Sequence, residues 1–234
     1  KLIIPFLIPF LFAMAIGPKL NWIKSELKNK LYLMLFLIIS FILSLLIIKN
    51  LDIDFLLNTI LVTAAFYLFF LTVRDFFNKK LNNLSQNLSH FGFSLLVLSI
   101  LFNNFFSTEI ITNLKVGETF KNEKIQINFK EIEQVNQKNF KAIIGKFTIK
   151  NSNQKSEILK PQLRIYNQPN IITSEAYIKT NLLTDKFITM NSVQNQEYFN
   201  IRYQVKPFMI WIWISVLLIT SGGFLRLLNK NYEN

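Results

Sequence analysis

Five uncharged apolar runs constrain this chain more than anything else in it. Residues 2–16, 31–48, 55–73, 88–106 and 208–225 contain no Asp, Glu, Lys or Arg. About 20 mainly apolar residues suffice for a helix to cross the ~30 Å hydrocarbon core of a bilayer. In lipid only a helix or a closed barrel satisfies every backbone polar group. With 51% hydrophobic residues and 24 phenylalanines the chain is too apolar for a soluble domain of its length. The first run stops at Gly17-Pro18, because proline disfavours helical geometry in the residue before it. The sequence starts at Lys1 inside an apolar run. A fragment is therefore expected, or one subunit of a protein divided among several chains, and with upstream residues restored the first run would span.

After Ser107 the pattern changes for about a hundred residues. Segments such as 125–129, 147–150 and 198–203 partly alternate polar and apolar residues and are separated by Asn, Ser, Gln and Lys clusters, which reads as β structure. The sequence predicts an α-helical membrane protein with about five transmembrane helices and a β-rich soluble domain inserted before the last helix. Residues 1–107 form a four-helix transmembrane region, 108–207 the β domain, and 208–234 the last helix and its tail.

Basic residues set the expected orientation. The first loop holds Lys19, Lys24, Lys28 and Lys30 against Glu26; the third holds Arg74, Lys79 and Lys80 against Asp75; the tail holds Arg226 and Lys230. Excess Lys and Arg beside membrane helices marks the cytoplasmic or matrix side, and five spans bring these three segments to that side. The β domain is then expected on the opposite, periplasmic or intermembrane, face of an inner membrane. A domain that long translocates largely regardless of its own charge. The second loop is a tight connection with Lys49, Asp52 and Asp54.

The net charge of +12 is spread over loops and the β domain without a run of five or six bases. Nucleic acid is therefore not an expected partner; the lipid bilayer is. Cysteine is absent, which removes disulfides, thiolate metal sites and thiol nucleophiles. Any redox chemistry must come from a bound cofactor.

One imidazole stands in the apolar runs. His90, the single histidine, is the third residue of run 88–106, about one helical turn inside at ~1.5 Å per residue. Histidines at such depth usually pair with or bind something. Two readings remain open, an axial ligand to haem iron and an imidazole hydrogen-bonded to a polar side chain. Ser94, Val97 and Leu101 continue the His90 face, while Ser85, Ser89, Gly92 and Ser99 form a small-residue stripe suited to a close neighbouring helix. The His90 face is thereby expected to be free for a planar ligand. A low-spin haem needs two axial ligands. No second His or Cys exists here, and Met14 and Met34 read better as packing, so the second ligand is expected from outside this chain. Trp211 and Trp213 read as an interfacial aromatic belt, and Arg164 as a solvated strand residue with a propionate or a partner protein as the alternative.

Several motifs in order resemble one family. They are Gly17-Pro18-x-Leu20-x-Trp22, Ser89-His90-x-Gly92, Pro161-x-x-Arg164-x-Tyr166, Ser174-Glu175-x-x-Ile178, and Lys206-Pro207-Phe208-x-x-Trp211-Ile212-Trp213 followed by Gly222-Gly223. Together they resemble the C-terminal part of CcmF, the haem lyase component of cytochrome c maturation. The resemblance implies a role in attaching haem to apocytochrome c, with His90 as one axial ligand to a resident haem b. It also implies as partners the N-terminal part of CcmF, other maturation components and a haem chaperone. The family's tryptophan-rich haem-handling segment and its three other functional histidines do not occur in these residues. The chain is thus expected to hold half of the haem b ligation and to be part of a lyase complex rather than a complete enzyme. A division as in mitochondrial genomes is one origin. A membrane-anchored assembly scaffold with a structural His90 is the alternative.

Overall fold

The computed structural model describes residues 4–19, 31–49, 51, 53–77, 84–123, 125–151, 156–193 and 197–230. Leu20 and Trp22 of the first motif lie outside them. So do the loop residues Lys24, Glu26, Lys28, Lys30, Asp52, Lys79 and Lys80. The chain divides into two compact units, residues 1–105 with 208–234, and 106–207.

The first unit is helical: α1 (Ile4–Ile16), α2 (Leu31–Ile48), α3 (Phe55–Phe77), α4 (Leu84–Phe106) and α5 (Met209–Lys230). The last four are long and apolar enough to cross a membrane; α1, at 13 residues, is shorter. The protein is a multi-pass membrane protein. α3 is the most enclosed helix. Its Leu61, Ala64, Ala65, Leu68 and Leu71 are buried with Leu11 and Ala15 of α1 and Val97 and Leu98 of α4. Polar side chains inside this apolar body are satisfied locally. Thr59, Thr63 and Thr72 donate to carbonyls four residues back, and Ser44 of α2 meets Thr63 at 2.7 Å. Such pairs matter where water cannot replace them.

Three helices outrun the apolar runs that announced them; α5 continues past Leu225 through Arg226 to Lys230. α3 continues past Val73 through Arg74 and Asp75, and α4 begins at Leu84, which makes His90 its seventh residue rather than its third. Helical hydrogen bonding extends through polar residues once an apolar segment has nucleated it. The charges at the end of α3 find partners. Lys19 Nζ lies 2.7 Å from Asp75, and the Arg74 guanidinium sits 3.6 Å from the centre of the Tyr32 ring.

The second unit is a sandwich of two antiparallel sheets. One orders β1 (Thr108–Leu114), β10 (Phe199–Pro207), β9 (Thr184–Ser192) and β8 (Tyr177–Thr180). The other orders β2 (Thr119–Lys121), β3 (Ile125–Asn136), β4 (Phe140–Asn151), β6 (Gln162–Tyr166) and β7 (Ile172–Glu175), with β5 (Glu157–Leu159) also on β4. Inward side chains of both sheets share one core: Leu114, Ile188, Met190, Ile201 and Tyr203 from the first, Ile127, Phe129, Phe147, Ile149, Leu159 and Leu163 from the second. The rings of Phe129 and Phe147 stack 4.3 Å apart. A Cβ on Gly145 would come within 2.6 Å of Phe147 and 2.8 Å of Met190, so β4 needs glycine there. Gly117, at φ +89°, turns the chain from β1 into β2, and its amide donates to the Phe129 carbonyl at 2.7 Å.

Two of the motif stretches are explained inside this core. Arg164 lies over the Phe140 ring at 4.9 Å, donates to Gln162 at 3.3 Å and reaches Glu175 at 3.9 Å. Ser174 donates to the Met190 carbonyl at 2.8 Å, tying β7 to β9 across the sandwich. Tyr166 packs on Phe140. Arg164 and Tyr166 thus tie neighbouring strands of one sheet, Ser174 joins the two sheets, and Arg164 is engaged within its own domain.

Tyr203 carries a testable consequence. Among the described residues its buried hydroxyl finds no partner, and burial, with the nearby Glu157 charge, pushes its pKa up to about 12 from 10.0. Because the folded pKa is raised, the protonated phenol's stability is fully present below pH 10 and is lost as the pH rises towards 12. The domain should therefore lose about 1.4 kcal/mol at pH 11 relative to Tyr203→Phe, one pKa unit being worth about that much. Urea unfolding of both proteins at pH 8 and 11 checks this; equal pH dependence would contradict it. Glu157 itself is held low: burial alone would raise it, but its bonds to Lys186 at 3.0 Å and the charge of Lys179 more than offset that.

Candidate haem-binding site

The α4–α5 pairing is built from residues without bulk. A Cβ on Gly222 would fall 2.3 Å from Ser89 Oγ, 2.7 Å from the Ser85 carbonyl and 2.8 Å from the Ser89 amide. A Cβ on Gly92 would meet Ile219 Cγ1 and the Ser215 carbonyl, each at 2.9 Å. Ser85, Ser89 and Gly92 of the small-residue stripe therefore receive α5, as small residues allow in membrane helices. Three motif residues, Ser89, Gly92 and Gly222, belong to this one packing device.

Beside the contact lies a cavity of about 470 Å³ lined by Ser85, Gln86, Ser89, His90, Gly222, Gly223 and Arg226. Such volumes fall within the range of small-molecule sites, roughly 300–1,000 Å³. His90 is half-buried on its wall. Among the described residues no atom lies within 4 Å of a Cβ built on Gly223, so they leave open space there. Arg226 is exposed and adds a cation to the wall. Lys19 and Asp75 are near enough to act on His90 electrostatically. Among the described residues no cluster of His, Cys, Asp and Glu could hold a metal ion alone.

The expectation that the whole His90 face is free is corrected. Ser94 is fully buried, donates to the Phe91 carbonyl at 2.8 Å and lies 3.4 Å from Thr72 of α3; Val97 joins the core and Leu101 packs against it. Only the first turns of α4, around Gln86 and His90, open onto the cavity, because the apolar continuation of that face is what α1 and α3 pack against. Met14 packs in the helical core and Met34 is 62% exposed; neither lines the cavity. Gln86 was not singled out from the sequence, and Arg226 only as a basic residue of the tail. The signal was helical spacing: 86, 89 and 90 share one face of α4, and 222, 223 and 226 one face of α5.

The Lys206-Pro207-Phe208 stretch is a backbone device. Phe208 holds φ +60° between β10 and α5, a conformation costing a non-glycine residue of order 1 kcal/mol or more. Its ring packs 5.4 Å from that of Phe102 on α4, and its carbonyl accepts from the Trp211 and Ile212 amides. Trp213 is 66% exposed and Trp211 half-buried at the start of α5.

Fold and motifs together define a multi-pass membrane protein carrying a β-sandwich ahead of its last helix. Residues 105–207 match the family described as the CcmF C-terminal beta-sandwich. The chain is 22% identical over 145 residues to the cytochrome c-type biogenesis protein CcmF of Escherichia coli, covering 62% of this chain and 22% of that protein. It is 27% identical over 146 residues to CcmF of Haemophilus influenzae, with the same coverage. To the cytochrome c-type biogenesis protein ccl1 of Rhodobacter capsulatus it is 29% identical over 126 residues, 54% of this chain and 19% of that one. A solved structure titled Cytochrome c Heme Lyase CcmF superposes with a TM-score of 0.71 at 19% identity, covering 94% of this chain and 38% of that one. The chain is thus similar to the C-terminal part of CcmF, most specifically over the β-sandwich of residues 105–207. It spans about a fifth of the length of the curated relatives it matches.

Proposed function

We propose that this chain is a membrane subunit of cytochrome c-type biogenesis, acting within a haem lyase that attaches haem to apocytochrome c. His90 would hold a resident haem b as one of the groups bound to its iron. The second ligand comes from the N-terminal part of CcmF, carried on another chain or on sequence beyond these residues. The observation that carries the reading is His90 on the wall of the α4–α5 cavity, in a chain related to CcmF.

The residues suit that group. An imidazole is an established axial donor to haem iron. The Gly223 side of the cavity has room for a flat ligand, and Arg226 offers a cation to a carboxylate on the same wall. A bound haem supplies one-electron chemistry. This chain's residues would hold and orient it: the Ser89–Gly222 contact fixes the helix that carries His90, and the buried Ser94 fixes the turn after it. The lyase acts with the β domain on the periplasmic or intermembrane face, where apocytochrome c and a haem chaperone would meet it. Lys19, Arg74 and Arg226 then lie on the inner side of the membrane.

The reading is tested by replacing His90 with Ala in the chain co-assembled with the N-terminal part of CcmF. Haem b absorbance of the purified complex should fall to background and cytochrome c maturation should fail with it. Retained haem b absorbance would refute the ligation. Unimpaired maturation would leave only an anchored assembly scaffold.

A further inference from the structure

We propose that the turn between β8 and β9 is a lipid-contacting tip, with Leu182 and Leu183 inserting into the surface of the bilayer that α4 and α5 cross. The inference rests on strand register and not on the His90 reading. In the four-stranded sheet, Pro207, the last residue of β10, pairs with Thr184, the first of β9; α5 begins two residues later, at Met209. On the other side of β10, Thr108, the first residue of β1, pairs with Val205, and α4 ends at Phe106. The end of the sheet holding the β8–β9 turn is thus the end covalently tied to two membrane helices. With neighbouring strands ~4.8 Å apart, Thr184 lies one strand spacing from the residue that leads into α5.

The turn itself departs from ordinary turn chemistry. Thr180 pairs with Asp185, and the Asn181 amide donates to the Thr184 carbonyl at 3.0 Å, so Leu182 and Leu183 form the tip. Two-residue tips favour Gly, Asn, Asp or Ser. Here two leucines stand 68% and 62% exposed, and Ile178, at 52%, continues the apolar surface along the sheet-edge strand β8. Adjacent exposed leucines at a water-facing tip gain nothing, whereas at headgroup level they bury apolar area in the acyl boundary. The covalent tie of this end of the sheet to two membrane-length helices favours a bilayer over a protein as the occupant.

The chain has no cysteine, so single-cysteine probes need no background removal. Leu182→Cys, Leu183→Cys and, at the opposite end of β9, Ser192→Cys would each carry a nitroxide label, with the full chain reconstituted in phosphatidylcholine and phosphatidylglycerol vesicles. Ser192 is eight residues along β9 from Thr184, roughly 26 Å at ~3.3 Å per residue. Labels at 182 and 183 should be severalfold more accessible to lipid-partitioning oxygen than to an aqueous nickel chelate, with the reverse at 192. Aqueous behaviour at 182 and 183 would overturn the proposal, and so would shielding from both reagents, which would mean a protein occupant. As a second reading on the unaltered chain, a photoactivatable phospholipid should leave adducts within residues 181–184; their absence, with adducts on α5 present, would also overturn it.

Discussion

Phe129→Ala is expected to remove about 3–5 kcal/mol from the β-sandwich, the usual cost of truncating a fully buried phenylalanine. Phe129 is fully buried, stacks on Phe147 at 4.3 Å and meets Phe199 edge-on at 5.6 Å. Its own backbone closes the β1–β2 connection, donating to Glu118 and accepting from Gly117. The void would open between the two sheets, where neither can collapse without breaking its ladder. For a domain of this size each kcal/mol moves the midpoint by roughly 4–8 °C, so thermal unfolding should shift downward by at least about 12 °C. A shift under about 5 °C would mean that the sheets do not share the core described.

The neighbouring glycines of α5 should respond in opposite ways to the same change. In Gly222→Val the new side chain would collide with two backbone atoms of α4, the Ser85 carbonyl and the Ser89 amide, besides Ser89 Oγ. Backbone cannot swing aside as a flexible side chain can. The helices must part, at a cost of about 3 kcal/mol, the upper end of what overpacking usually costs. In Gly223→Val the side chain enters open space, and valine is no worse than glycine in a helix. Thermal stability of the detergent-solubilised chain should fall for Gly222→Val and stay near the parent for Gly223→Val. Equal behaviour of the two would contradict the α4–α5 contact. Because Ser89 precedes His90, the Gly222 change should also lower haem retention in the assembled complex.

Much of this architecture was legible in the residues. Uncharged runs located the helices, since charge is excluded from hydrocarbon, and alternation located a β-rich insert. The stripe Ser85, Ser89, Gly92 announced a close helix neighbour, and α5 is that neighbour. Apolar runs mark where lipid requires apolar side chains, not where helical hydrogen bonding stops, so the polar ends of α3, α4 and α5 were misplaced. The Ser94 side of the His90 face was misjudged because a helix face shows its composition and not its partner; serine there bonds within its own helix and packs on Thr72. The cavity joins Gln86 and Arg226, 140 positions apart in the chain, and no local pattern reports such a juxtaposition. The strand order β1-β10-β9-β8 is likewise a matter of long-range pairing. Arg164 and Ser174 look like polar handles in sequence because a structural tie, within a sheet or between sheets, and a binding residue use the same side chains.

The central claim, that the His90 imidazole is an iron ligand, is tested most directly by taking the ring away and giving it back. In the complex with the N-terminal part of CcmF, His90→Gly should lose the low-spin haem b spectrum and regain it when imidazole is added to the purified protein. A spectrum unchanged by the substitution, or one lost and not restored by imidazole while the complex stays assembled, would contradict the ligation.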